Sequence, residues 1–194
     1  MFSSCIPRRI PTPLPIITDF AAAGTLFTNG THVLAGYQKD YTHPSISGIG
    51  GKREGGETYM ETALRETVEE LFGQVPVPLI LLRRMLGLME PRRVHKNGSY
   101  VLVIYNFDDL EKIIKLVKYE GLPSPLYDTF PKSISDLLLD RKFDLDAPLK
   151  SEVSHLCLIP VMKNATIDVE FLEDLALVLG ATNQSKIEPP PKDI

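Results

Sequence analysis

Residues 51–73 read GKREGGETYMETALRETVEELFG, a glycine-rich turn running into a helix. Around that turn stand Glu57, Arg65, Glu66, Glu69 and Glu70. Glu66, Glu69 and Glu70 are related by i, i+3 and i+4, so they crowd one helical face. Three like charges that close repel one another and cost helix stability unless something positive sits among them. The natural counter-charge is a divalent cation with oxygen ligands, Mg²⁺ or Mn²⁺. The stretch therefore predicts a metal site.

The residues on either side agree. Thr58 and Glu61 stand at the spacing of a capping box, which starts the helix at about Thr58. Met60, Ala63, Leu64, Val68 and Leu71 follow the 3.6-residue period on the side away from the acidic cluster. One face is core and the other carries the charges. Gly73 stands where a left-handed residue ends a helix. Upstream, Gly48, Gly50, Gly51, Gly55 and Gly56 allow the backbone to approach a ligand closely.

Gly51, five residues, Glu57, seven residues, Arg65-Glu66, two residues, Glu69-Glu70: this spacing resembles the Nudix box of the Nudix hydrolases. Two positions depart from the family's pattern. Thr67 stands where an aliphatic residue is usual, and Phe72 stands where glycine is usual, with Gly73 one place late. Both lie outside the charged positions, so they bear on the helix terminus more than on the chemistry. A Glu-rich amphipathic helix alone is usually a solvated face. The fixed placement of Arg65, Glu57 and the glycines is what separates this one from that reading.

The rest of the chain also looks like the family. Residues 21–27 and 32–36 read as a hairpin turning at Asn29-Gly30, and residues 46–50 as a short strand delivering the glycine loop. Residues 100–105 and 156–161 are β-prone runs, and residues 169–179 read as a late helix. The fold class expected is α/β, a Nudix-type α/β/α sandwich with a mixed β-sheet and a helical insertion. The insertion, about 108–150, has one amphipathic helix marked by Leu110, Ile113, Ile114 and Val117, with Lys112, Lys115 and Lys118 opposite. Ile134, Leu137 and Leu138 mark a shorter second one. A connection of that length with its own helices reads as a substrate lid or a partner surface, against simple packing on the sandwich.

The resemblance implies roles at the matching positions. Glu66, Glu69 and Glu70 would bind metal ions, with the Gly51 carbonyl as a further ligand. Glu66 is also the candidate base, Arg65 would hold the glutamates by ion pairing, and Glu57 would support loop and helix from the edge. One more carboxylate from outside the box is often used, for which Glu152 and Glu90 are the candidates. The family's reaction is hydrolysis of a nucleoside diphosphate linked to another moiety.

At 194 residues and 43% hydrophobic content, the chain can bury a full core in one domain. Residues 1–19 read as a proline-rich N-terminal arm, 20–182 as the Nudix domain and 183–194 as a C-terminal tail. An apolar run of eighteen residues is absent, so no membrane partner is expected. The prolines around Arg8 and Arg9 are wrong for a signal peptide. Only Cys5 and Cys157 are present, which makes no disulfide framework and favours an intracellular, cytoplasmic setting. Nothing in the chain fixes its oligomeric state.

The substrate is less legible. A net charge of −4 argues against indiscriminate nucleic-acid binding. Yet Arg83, Arg84, Arg92, Arg93, His95 and Lys96 form a locally basic stretch, read as leading from the acidic helix into a strand. Lys52 and Arg53 add positive charge in the glycine loop. Arg92 and Arg93, with Lys52 and Arg53, are the candidate substrate contacts, as a clamp for polyphosphate or an RNA backbone. The competing reading is solvated charge beside a hairpin turning at Asn97-Gly98. The loop at 49–54 looks like the Gly-Gly-Lys-Arg-Glu version in some Nudix proteins of large DNA viruses, decapping enzymes among them. Three readings stand: a pyrophosphohydrolase of small nucleoside diphosphate derivatives, a messenger-RNA decapping hydrolase, and a non-catalytic Nudix-fold binding or structural module.

Overall fold

The computed structural model describes residues 13–38, 45–142 and 153–161, with 171, 174, 175 and 177. Seven strands and four helices lie in it: β1 (Ala22–Thr28), β2 (His32–Gln38), β3 (Ser45–Ser47), β4 (Ile49–Lys52), α1 (Tyr59–Phe72), α2 (Leu79–Leu88), β5 (Arg93–Asn97), β6 (Tyr100–Asn106), α3 (Phe107–Tyr119), α4 (Ile134–Leu139) and β7 (Val153–Pro160). The strands make one mixed sheet, ordered β3-β2-β1-β6-β5, with β4 added to β1 and β7 to β2. β1 runs parallel to β6 over its whole length, from Ala22↔Tyr100 to Thr28↔Asn106. Its other edge is shared: Ala22 to Thr25 pair antiparallel with β4, while Thr28 pairs with Val33 of β2.

Alternation along the strands creates two apolar faces. Ala23, Phe27, Val101, Val103 and Tyr105 point to one, under Ala63, Leu64, Val68 and Leu71 of α1 and Leu110, Ile113, Ile114 and Val117 of α3. Leu26, Val33, Ala35, Leu102, Ile104 and Ile159 point to the other, covered by Phe171 and Leu175. Residues 171, 174, 175 and 177 are helical; the remainder of the late helix expected at 169–179 lies outside the described residues. Helix on sheet on helix is the α/β sandwich that the pattern predicts.

The β1–β2 turn is held by Asn29, whose Oδ1 accepts from the Thr31 and His32 amides at 3.0 and 2.8 Å, with Gly30 at φ 90°. The second hairpin turns one residue later than expected, at Gly98 and Ser99, because Asn97 itself pairs with Tyr100. Three further differences have physical causes. The strand expected at 46–50 is two strands parted at Gly48, since β3 pairs with β2 and β4 with β1. β7 begins at Val153, earlier than 156, because it follows β2 as far as Gln38. Residues 79–88, read only as part of a basic stretch, form α2, whose Leu81, Leu82 and Met85 are buried. Its cap residue Pro78 makes no side-chain bond, so the usual sequence sign of a helix start is missing.

Both departures around the acidic helix find their reasons in the packing. Phe72 is buried and stacks on Phe130 at 5.4 Å between ring centroids, which lengthens α1 by one residue. Gly73 then takes φ 66° and donates to the Glu69 carbonyl at 2.8 Å. Thr67 is fully buried under β1, where its Oγ1 lies 2.7 Å from Oγ1 of Thr25 and donates to the Ala63 carbonyl at 2.7 Å. A hydroxyl here costs little because both partners are satisfied, and removing one partner strands the other. Thr67→Val is therefore expected to cost about 1–3 kcal/mol in urea denaturation. The double variant Thr25→Val/Thr67→Val should recover most of that loss, a coupling of about 1 kcal/mol or more. Strictly additive single effects would contradict it.

Candidate active site

The N-terminal half of α1 is fixed by its cap. Thr58 Oγ1 accepts from the Glu61 amide at 3.3 Å, and the Glu61 carboxylate accepts from the Thr58 amide at 2.8 Å. This sets the rotation of the helix, and the buried residues from Met60 to Leu71 hold it against β1 and β4. The acidic face is thereby turned toward the glycine loop at the end of β4.

Arg65 is the centre of the arrangement. Only 7% of its side chain is exposed. Nε donates to Glu57 Oε1 at 2.8 Å; Nη1 donates to Glu66 Oε1 at 2.8 Å and to Glu69 Oε2 at 3.0 Å. Nη2 donates to the Lys52 carbonyl at 2.7 Å and to Glu57 Oε2 at 3.2 Å. One guanidinium thus ties the loop, the edge carboxylate and two residues of the helix together. Glu57 also accepts from the Glu54 amide at 3.0 Å and from Thr62 Oγ1 at 2.8 Å.

Gly51 is tied to the same group by shape. A Cβ there would sit 2.5 Å from Cδ and Oε2 of Glu66 and 2.6 Å from Oε1. The Glu66 carboxylate lies flat on the backbone, and only glycine admits it.

The charges do not balance among themselves. Burial raises the affinity of Glu57 for a proton, but the bonds from Arg65, the Glu54 amide and Thr62 outweigh it and hold the carboxyl below its ordinary range. For Glu66 the balance is reversed. Burial pushes it up to about 7, Arg65 offsets only part, and Glu69 and Glu70 push further the same way. Glu69 is also raised, first by burial, with Glu54 and Glu70 adding to it. Against burial, Glu57, Glu66 and Glu69 hold the Arg65 guanidinium more firmly protonated than usual.

Glu70 has a partner outside the helix. It is 8% exposed, and its Oε2 accepts from the Val153 amide of β7 at 2.9 Å. Arg65 pairs with Glu66 and Glu69, and β7 engages Glu70. Among the described residues, no three His, Cys, Asp or Glu side chains enclose a metal site as they stand. The donor chemistry nonetheless fits a hard divalent cation. The candidate donors are all oxygens, three carboxylates (Glu57, Glu66 and Glu69) share the one Arg65, and burial with the nearby Glu69 and Glu70 leaves Glu66 short of positive charge.

The remaining candidates are spread out. Lys52 is exposed on the loop. Arg53 is occupied: its Nε donates to the Glu57 carbonyl at 2.9 Å, its Nη1 to the Thr18 carbonyl at 3.3 Å, and its guanidinium lies 4.4 Å over the Phe20 ring. It pins the chain before β1 to the glycine loop. Arg92 and Arg93 are exposed at the start of edge strand β5, and Glu90 is exposed just before it. Glu152 lies outside the described residues, as does Cys5. Arg83 is exposed on α2, whereas Arg84 pairs with Glu120. Cys157 is a half-buried free thiol near the Ala35 carbonyl, raised by burial. Among the described residues no helix is long and apolar enough to cross a membrane. Sequence reading missed Arg141, whose partners are described below.

No protein-family model matches the chain, and no curated protein matches it. Solved structures do. A bifunctional NMN adenylyltransferase/ADP ribose pyrophosphatase from Francisella tularensis, complexed with AMP and a Mn ion, is 14% identical with a TM-score of 0.46. That match covers 87% of this chain but 43% of the other, so the chain spans less than half of that relative. The Nudix hydrolase RenU from M. smegmatis is 16% identical over 90% of this chain and 91% of its own, with a TM-score of 0.45. A NUDIX hydrolase from Nitrosomonas europaea is 13% identical over 83% and 88%, with a TM-score of 0.41.

The raised Glu66 gives a stability prediction for the metal-free protein. The folded state binds this proton more tightly than the unfolded state, whose value is near 4.5. Its contribution is fully present below about 4.5 and is lost as pH rises through about 7. The loss amounts to on the order of 2–3 kcal/mol. In EDTA, the fall in thermal midpoint between about pH 5 and pH 8 should therefore be several degrees smaller in Glu66→Gln than in wild type. Parallel pH profiles would show that Glu66 is not the group responsible.

Proposed function

We propose that the chain is a hydrolase of the pyrophosphate bond in a nucleoside diphosphate linked to another moiety, dependent on Mg²⁺ or Mn²⁺. The observation that carries this is the set of three carboxylates, Glu57, Glu66 and Glu69, paired with the buried Arg65 at a glycine-lined loop. Glu66, Glu69 and Glu70, with the Gly51 carbonyl, would hold the cation. When bound, it would neutralise diphosphate charge and acidify water.

The protein groups would do the rest. Glu66, its carboxylate held against the glycine loop, would take a proton from the attacking water on a carboxylate oxygen. Arg65 keeps that carboxylate against Gly51, and Glu57, ionised and bonded on both oxygens, keeps the Arg65 fork in one orientation. The exposed Lys52 offers a cation to the diphosphate from the loop.

A second reading, release of capped nucleotide from RNA, is favoured by the exposed Arg92 and Arg93 at the start of the edge strand. The test is hydrolysis by the purified protein of ADP-ribose, diadenosine polyphosphates, nucleoside triphosphates and capped RNA, each with Mg²⁺, with Mn²⁺ and with EDTA. Turnover of a small nucleotide with a weak salt dependence supports the first reading. Preference for capped RNA that falls steeply with salt and weakens in Arg92→Ala/Arg93→Ala supports the second. A protein that turns over none of them is a binding or structural module.

A further inference from the structure

The last turn of α1 leaves four backbone carbonyls without partners inside the helix, and buried carbonyls need partners. Here all four are satisfied. Glu69 accepts from Gly73, as described. The other three are met by the segment between β6 and β7. The Glu70 carbonyl accepts from Arg141 Nη2 at 2.8 Å, the Leu71 carbonyl from Arg141 Nη1 at 3.1 Å, and the Phe72 carbonyl from Ser124 Oγ at 2.6 Å.

Arg141 does more than cap. Its Nη2 also donates to the Val153 carbonyl at 2.6 Å, and its Nη1 to Tyr127 Oη at 3.4 Å. Tyr127 Oη in turn donates to the Leu137 carbonyl at 3.1 Å, and Tyr127 forms a β-bridge with Arg141. Val153 is the residue whose amide donates to the Glu70 carboxylate at 2.9 Å. A single nitrogen, Nη2, therefore grips the Glu70 carbonyl and the Val153 carbonyl, while the Val153 amide grips the Glu70 side chain. Backbone and carboxylate of Glu70 are closed into one ring of bonds through Arg141 and β7. The cation also suits the negative end of α1.

We infer that Arg141 is a positioning residue that sets the Glu70 carboxylate for cation binding, acting from outside the acidic helix through the α1 carbonyls and the start of β7. This rests on the proposal that Glu70 is a metal ligand. A planar fork is required, because Nη1 holds the Leu71 carbonyl while Nη2 holds those of Glu70 and Val153; a lysine ammonium keeps the charge and loses that geometry. Groups that orient a metal ligand typically contribute 10- to 100-fold to metal affinity.

The experiment is Mn²⁺ titration followed by the spin-resonance signal of free Mn²⁺, on wild type, Arg141→Lys, Ser124→Ala, Glu70→Gln and Arg141→Lys/Glu70→Gln. Arg141→Lys should weaken Mn²⁺ binding by roughly tenfold or more. Ser124→Ala, which removes a bond to the same helix end without touching Glu70, should leave the affinity within about twofold. In the Glu70→Gln background, Arg141→Lys should change nothing further. Should Arg141→Lys not fold, Tyr127→Phe, which removes one acceptor of the guanidinium, carries the test with an expected loss of roughly threefold. Wild-type affinity in a folded Arg141→Lys, equal weakening in Ser124→Ala, or an additive double variant overturns the positioning role alone. No Mn²⁺ binding by wild type overturns it together with the proposal on which it rests.

Discussion

Glu66→Gln is expected to lower cation-dependent hydrolysis by about 10³-fold while the protein stays folded. The substitution keeps the shape that lies flat on Gly51, and the amide oxygen can still accept from Arg65 Nη1. What goes is the negative charge, which burial and the neighbouring Glu69 and Glu70 have made costly, and with it the basicity. The same change should stabilise the cation-free protein at pH 8, because an ionised carboxylate at this place is unfavourable there. Opposite signs for activity and stability are the mark of a group kept for function. Measured side by side, turnover and thermal midpoint check both halves. A variant with wild-type turnover removes Glu66 from the chemistry, and one that is both inactive and less stable at pH 8 points to a structural role.

The second large effect is on stability. Arg65→Ala should cost about 3–5 kcal/mol, since it leaves Glu57, Glu66 and Glu69 around a buried space with their common partner gone. For a chain of this size that is a fall in thermal midpoint of roughly 10 °C. Arg65→Lys should recover little. An ammonium has no fork, and the native group reaches Glu57, Glu66, Glu69 and the Lys52 carbonyl from three nitrogens in one plane. Lowering the pH toward 5 should shrink the deficit, because Glu66 is then protonated and no longer an unpaired charge. Calorimetry of the three proteins at pH 5 and pH 8 decides it; a loss under about 1 kcal/mol in Arg65→Ala would mean that the network is solvated after all.

Local signals carried much of this in advance. Thr58, Glu61 and Gly73 state both ends of α1, and the structure places caps at those residues. Asn29-Gly30 and the apolar stripe of α3 were equally plain, because each depends on residues a few positions apart. What depended on distant partners was not legible. The break at Gly48 exists because β2 and β1 each claim one side of it. α2 lacks a side-chain cap and opens on the unbroken apolar run Leu79 to Leu82, which carries no period. Within the candidate site, the spacing indicated which charges meet, and Arg65 does join Glu57, Glu66 and Glu69. It could not show that Glu70 turns to β7, nor that Arg141, some 70 residues away, closes the end of the helix.

The claim on which the rest depends is that the acidic face of α1 takes a divalent cation. Titration of Mn²⁺ at pH 8 into wild type and Glu66→Gln, read from the free-ion signal, tests it most directly. Saturable binding by wild type that is weakened at least about tenfold in Glu66→Gln is the predicted result. Equal binding by the two proteins, or none by wild type, would contradict the account.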